Sequence, residues 1–172
     1  MPIVPDTKNW TWVLHEPCPE CGFDAARVAF REVPALVREN AAAWPALLRA
    51  DGARDRPDTS TWSALEYGAH VRDVFRVFEG RLQLMLREDG PSFPDWDQDA
   101  TAVADDYAAQ DPETVARDLL AASESVARAF EGVADDELGR AGFRSDGSAF
   151  TVESLARYFA HDPVHHLHDV TA

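Results

Sequence analysis

Residues 61–89, TWSALEYGAHVRDVFRVFEGRLQLMLRED, repeat their apolar side chains every three or four positions, the spacing of one face of an α-helix. Val71, Val74, Phe75, Phe78, Leu82, Met85 and Leu86 spread over an arc too wide for a single neighbour to cover. Such a helix has to be buried between other elements, so the rest of the chain must supply them. Ser60 or Thr61 is the expected N-cap, a hydroxyl that accepts an orphan backbone N–H of the first turn.

Three further blocks carry the same period. In residues 31–50, Leu36, Val37, Asn40, Trp44, Leu47 and Leu48 form a stripe that is apolar except for Asn40. Pro34 suits the opening turn of that helix, where its missing N–H costs nothing, and Pro45 is expected to bend its end. A helix begins at Asp111, with Asp as cap, Pro112 in the first helical position and Glu113 favourable to the dipole. Its stripe is Val115, Leu119, Ala122, Val126, Ala129 and Phe130. The last helix starts after Thr151 and runs through a histidine-rich end.

Between these blocks, DWDQDATAVADDYAAQ (95–110) reads as a long acidic connection with about one helical turn. Asp146–Gly147, flanked by short mixed runs, signals a small β-hairpin before the last helix. Four long amphipathic helices with uneven connections make an all-α chain, a four-helix bundle. We expect residues 1–172 to form one domain, with an N-terminal arm at 1–30 containing the CPECG turn and the helical bundle at 31–172. Trp10 and Trp12 are placed to pin the arm to the bundle.

The chain has 31 acidic and 16 basic residues, a formal net charge of −15. That balance argues against nucleic acid, whose phosphates need Lys and Arg, and against anionic membrane surfaces. No apolar run reaches the roughly 20 residues needed to span a bilayer, and the N-terminus lacks a secretory signal pattern. The only cysteines, Cys18 and Cys21, are too close together to staple a fold, so a cytoplasmic, reducing setting is expected.

His15, Cys18 and Cys21 stand in HEPCPECG. Three readings are open: an ordinary turn carrying two thiols, a small zinc site completed by His15 or by another chain, or a redox pair. No second cysteine pair exists to complete a four-cysteine site.

The chain's closing stretch, HDPVHHLHDV (161–170), holds four of its six histidines. His161 and His165, spaced i, i+4, project from one helical face within reach of a common ion, and His168 points roughly the same way. His166 is turned about 100° from His165, onto the side of Val152, Leu155 and Phe159. Pro163 between the ligand candidates is expected to bend the helix and alter the aim of His165. A solvated polar helix end is the alternative, and a metal site would need a third ligand from elsewhere. His70, at the edge of the long helix's arc with Glu66 and Asp73 as its i−4 and i+3 neighbours, is either a hydrogen-bonded half-buried histidine or that ligand.

WSALEYGAHVRDV (62–74) followed by HDPVHH (161–166) resembles the DinB-like superfamily, the damage-inducible group that includes bacillithiol- and mycothiol-dependent S-transferases. The resemblance extends over about residues 30 to 170. It implies a four-helix bundle with a long crossover and a three-histidine site for a divalent ion, zinc or nickel, with His70, His161 and His165 as ligands. Asp162 would then hold an imidazole in orientation, with Glu66 and Asp73 as further candidates for that role, and His168 would be a substitute or fourth ligand. No catalytic residue beyond the ligands is implied. The implied chemistry is transfer of a low-molecular-weight thiol to a small electrophile. Metal-dependent hydrolysis, or a non-catalytic bundle with a structural metal, are the alternatives. Substrate selection would fall to PDWDQDATAVADDY (94–107), through Trp96, Asp97 and Tyr107. A small-molecule substrate and a homodimer are the expected partners.

Overall fold

The computed structural model describes residues 8–172. Its helices are α1 (Val33–Arg49), α2 (Ala64–Arg87), α3 (Gln98–Ala104), α4 (Pro112–Glu131) and α5 (Val152–Thr171), and its strands are β1 (Ser92–Phe93), β2 (Ala141–Arg144) and β3 (Ala149–Thr151). α1, α2, α4 and α5 are the four blocks expected from periodicity. α4 and α5 each pack against both α1 and α2, while α1 and α2 touch each other much less. α1 and α2, adjacent in sequence, therefore sit diagonally, and α4, which follows the long 88–111 connection, packs between them opposite α5.

The helix ends follow from local chemistry. Asp111 accepts the Thr114 N–H (2.9 Å) and Thr151 the Ser154 N–H (3.0 Å), as their sequence positions suggest. The start of α2 differs from expectation: its cap is Ser63. The Ser63 hydroxyl accepts the Glu66 N–H (3.3 Å), and the Glu66 carboxylate accepts the Ser63 N–H (2.9 Å). Ser60 and Thr61 are instead engaged by Asp58, which accepts from both hydroxyls (2.7 and 3.0 Å). Only Ser63 has a glutamate three residues on, and the reciprocal box decides the start.

The 95–110 connection is more structured than its weak periodicity indicates. α3 makes two turns capped by Asp97, and a 3₁₀ turn follows at Tyr107–Ala109. α3 buries none of its residues fully, so it has no apolar stripe to read. The Asp146–Gly147 hairpin forms as β2 and β3, and β1 adds to it in parallel, Ser92 opposite Phe143 and Phe93 opposite Arg144. A two-residue strand is too short to alternate visibly.

The core centres on Phe159 of α5, whose ring packs against Phe130 (5.5 Å), Phe78 (5.1 Å) and Phe75 (6.0 Å). That contact fixes the rotation of α5 about its axis. α5 then continues unbroken through Pro163 to Thr171. The buried side chain of Asn40 donates to the Pro163 carbonyl (2.7 Å) and accepts the indole N–H of Trp44 (3.1 Å). The one polar member of the α1 stripe is thus the strap that ties α1 to the proline turn of α5. The arm precedes α1 as three short 3₁₀ turns at Trp10–Leu14, Ala25–Arg27 and Phe30–Glu32. It is held to α5 by Arg157, which donates to the Val28 carbonyl (3.0 Å). Among the described residues no helix is long and apolar enough to cross a membrane.

Candidate metal centre

α5 presents two pairs of ligand-type side chains, each spaced i, i+4. His161 and His165 form one pair; Asp162 and His166 form the other, about 100° further round the helix. Phe159 decides where each pair points. Because Phe159 faces Phe75 and Phe78 of α2, the residues three and seven positions on, Asp162 and His166, face α2 as well. His161 and His165 turn toward the N-terminal arm.

Two separate clusters result. His70 of α2, Asp162 and His166 each bring a ligand atom to within 4.8 Å of the others. Cys18, Cys21, His161 and His165 do the same on the adjacent face. The trio His70, His161 and His165 is not gathered into one such cluster. Spacing alone cannot separate the two registers, since D-x-x-x-H and H-x-x-x-H overlap by one residue. His166, set aside because it shares a side with Leu155 and Phe159, meets His70 for that reason: this side is the one that packs on α2.

In the first cluster His70 is wholly buried, with Nε2 3.4 Å from Asp162 Oδ1. Its ring lies perpendicular to that of His166 at 4.7 Å. Trp96 stacks flat on His70 (5.4 Å), Trp62 tilts against it (5.3 Å), and Tyr67 lies against His166 (5.0 Å). Both ring nitrogens of His70 and Oδ1 of Asp162 are buried without a hydrogen-bond partner among the described residues. Such orphaned groups are costly in a folded core unless something absent from the polypeptide satisfies them. His166 Nδ1 lies 2.9 Å from Asp169 Oδ2, which places the proton on Nδ1 and turns Nε2 toward Asp162 (3.7 Å).

Burial favours the neutral, ligand form of three of these histidines, His70, His161 and His165. It lowers the pKa of His70 and of His165, and brings His161 down to about 4 with help from neighbouring His165. Burial alone would raise the Asp162 carboxyl, but the flanking imidazoles of His70 and His166 outweigh it and hold the group at about 2. Two imidazoles and one carboxylate are a good donor set for a divalent ion with coordination positions left open. A cavity of about 330 Å³, lined by Trp10, Trp62, Tyr67, Asp162, His165 and His166, opens beside them.

The other anticipated residues lie elsewhere. Glu66 is committed to the α2 cap and to an ion pair with Arg56. Asp73 is bound by Arg72 (2.9 Å), Arg76 (3.0 Å) and the hydroxyl of buried Tyr107 (2.7 Å), and it is not part of the His70 cluster. His168 and His15 are exposed and belong to neither cluster; the partners of Cys18 and Cys21 are the α5 histidines, not His15. Asp97 caps α3, and Trp96 of the anticipated substrate loop packs directly on a ligand candidate, His70. Asp169, Trp62 and Tyr67 were not anticipated. The His166–Asp169 spacing of three was a legible signal for the first, but nothing local marks the two aromatics.

A family model described as the DinB superfamily matches residues 22–170. No curated protein matches the chain. Among solved structures, the fold is similar to that of YfiT from Bacillus subtilis, described as a probable metal-dependent hydrolase with an unusual four-helix bundle topology. The TM-score is 0.65 and the identity 18%, over 98% of this chain and 91% of that one.

Proposed function

The chain belongs to the DinB superfamily, and on that footing we propose that it is a metal-dependent enzyme whose ion is held by His70, Asp162 and His166. The observation that carries this reading is the wholly buried His70, with both ring nitrogens unpartnered among the described residues and a carboxylate and a second imidazole within ligand distance. A divalent ion in such a site supplies Lewis acidity, making a small thiol or a water molecule nucleophilic near neutral pH.

The chain's own residues prepare that chemistry. Trp62 and Trp96 enclose His70 and exclude bulk water, and Asp169 fixes the tautomer of His166. The aromatic walls of the cavity, Trp10, Trp62 and Tyr67, suit a small, partly apolar substrate. Next to it a second cavity of about 500 Å³ is lined by Arg81. Arg81 is buried, hydrogen-bonds to the Pro94 carbonyl (3.1 Å) and has no carboxylate within ion-pair distance among the described residues.

The reaction that fits the family resemblance is transfer of a low-molecular-weight thiol to a small electrophile. Hydrolysis is the second reading, favoured by the description of YfiT. Zinc- or nickel-loaded chain assayed on electrophilic and ester substrates, with and without added thiol, separates the two. Strict thiol dependence supports the transferase, and turnover without thiol supports the hydrolase. His70→Ala should remove one bound ion and all turnover; unchanged metal content and activity in that variant would refute the site.

A further inference from the structure

We propose that Cys18, Cys21, His161 and His165 form a second, structural zinc site that fastens the N-terminal arm to α5. The four side chains come from opposite ends of the chain, Cys18 and His165 being 147 positions apart. Even so, one ligand atom of each lies within 4.8 Å of the others. Nothing in ordinary core packing calls for two thiols and two imidazoles to converge.

The geometry matches the ion. Zn–S of about 2.3 Å and Zn–N of about 2.0–2.1 Å at tetrahedral angles put sulfur and nitrogen about 3.6 Å apart. Cys18 Sγ and His165 Nδ1 are 3.6 Å apart. Nε2 of His161, the other imidazole, is buried with no hydrogen-bond partner among the described residues. The cysteine segment is shaped as a ligand turn: the Gly22 N–H donates to the Cys18 carbonyl (2.9 Å) and the Cys18 N–H to the Phe23 carbonyl (2.8 Å). The reversal needs a left-handed residue after Cys21, and Gly22 supplies it at φ +75°. Two thiolates and two neutral imidazoles would cancel the double charge of zinc, so the buried site would be electrically neutral.

Four protein ligands fill a tetrahedral ion and leave no position for substrate, which marks the site as structural. Its surroundings agree. Trp10 lies over both imidazoles (5.5 and 5.2 Å), and Phe23 closes the edge of His161 (5.6 Å). The site lies back to back with the His70 cluster, the rings of His165 and His166 being 5.6 Å apart. Zinc there would hold Trp10 and the arm as one wall of the cavity. This inference stands independently of what the His70 cluster does.

The test uses the full-length chain loaded with zinc. Stepwise titration of its thiols with a mercurial should release about one zinc for two thiols consumed. Replacement by Co²⁺ should give an intense tetrahedral visible spectrum with a thiolate-to-cobalt charge-transfer band. The band should survive His70→Ala and His166→Ala together and vanish in Cys18→Ser with Cys21→Ser. The first two measurements need no cysteine variant, so a misfolded double serine chain leaves the question decidable. Cobalt bound without a thiolate band would overturn the proposal. So would zinc release unrelated to thiol titration, or an intramolecular Cys18–Cys21 disulfide in the zinc-loaded chain. Loss of the ion in the histidine variants alone would instead concern the His70 site.

Discussion

Replacing Asn40 by alanine tests whether a single amide ties α1 to the part of α5 that carries the ligand candidates. The side chain is buried and makes two hydrogen bonds, to the Pro163 carbonyl at 2.7 Å and from the Trp44 indole at 3.1 Å. Trp44 is fully buried, so its N–H has no water to turn to. An unsatisfied buried donor or acceptor costs about 1–3 kcal/mol. The Trp44 donor bears that cost in full, while the Pro163 carbonyl, a helix acceptor with two lone pairs, bears less. The expected loss is therefore about 2–4 kcal/mol. Urea denaturation of metal-free protein reads it, because bound metal would add its own binding energy to the transition. Asn40→Leu restores volume but neither hydrogen bond, so it should recover little. Adding Trp44→Phe to Asn40→Leu removes the orphaned donor and should recover part of the loss. If Asn40→Ala costs under about 1 kcal/mol, or Asn40→Leu restores wild-type stability, the strap contributes only volume and the argument is refuted.

Other outcomes follow from the same structure. Asp169→Asn removes the carboxylate that holds the Nδ1 proton of His166, and should weaken metal binding at the His70 cluster by about 10–100-fold in a competition titration; unchanged affinity would show that Asp169 only decorates the helix. Gly142 faces Met85 so closely that an added Cβ would sit 2.7 Å from its Cγ and Sδ and 2.9 Å from Phe93. Gly142→Ala should therefore destabilise by about 1–3 kcal/mol in thermal or urea melts, with partial relief from Met85→Ala. Asp73 titrates below the usual carboxylate range. Burial opposes ionisation there, but Arg72, the Tyr107 hydroxyl and Arg76 prevail. A depressed folded-state pKa means that the stabilisation is fully present above the ordinary value of 3.8 and is lost as pH falls through the folded value. Acid unfolding curves of Asp73→Asn should accordingly be flatter below pH 4 than those of the wild type; parallel curves would remove Asp73 from the acid response.

Much of this molecule could be read along the chain because the relevant physics is local. Helical periodicity marked α1, α2, α4 and α5; Asp111 and Thr151 announced their helices through hydroxyl and carboxylate caps, and Asp146–Gly147 announced a hairpin. Reading failed where no repeat could build up. β1 is two residues long, α3 buries no face, and Ser63 outcompeted Ser60 and Thr61 only because Glu66 completes its box. His70 and the histidines of the last helix lay on the expected elements. Their partition did not follow from spacing, because His161/His165 and Asp162/His166 both satisfy i, i+4. Which pair meets His70 depends on the rotation of α5, set when Phe159 packs among Phe75, Phe78 and Phe130. Which pair meets Cys18 and Cys21 depends on where the arm crosses that helix. Sequence by itself determined the helices and the inventory of ligand-type side chains; core packing between distant segments sorted those side chains into clusters, since a side chain's neighbour across a bundle is chosen by helix rotation and leaves no mark in local spacing.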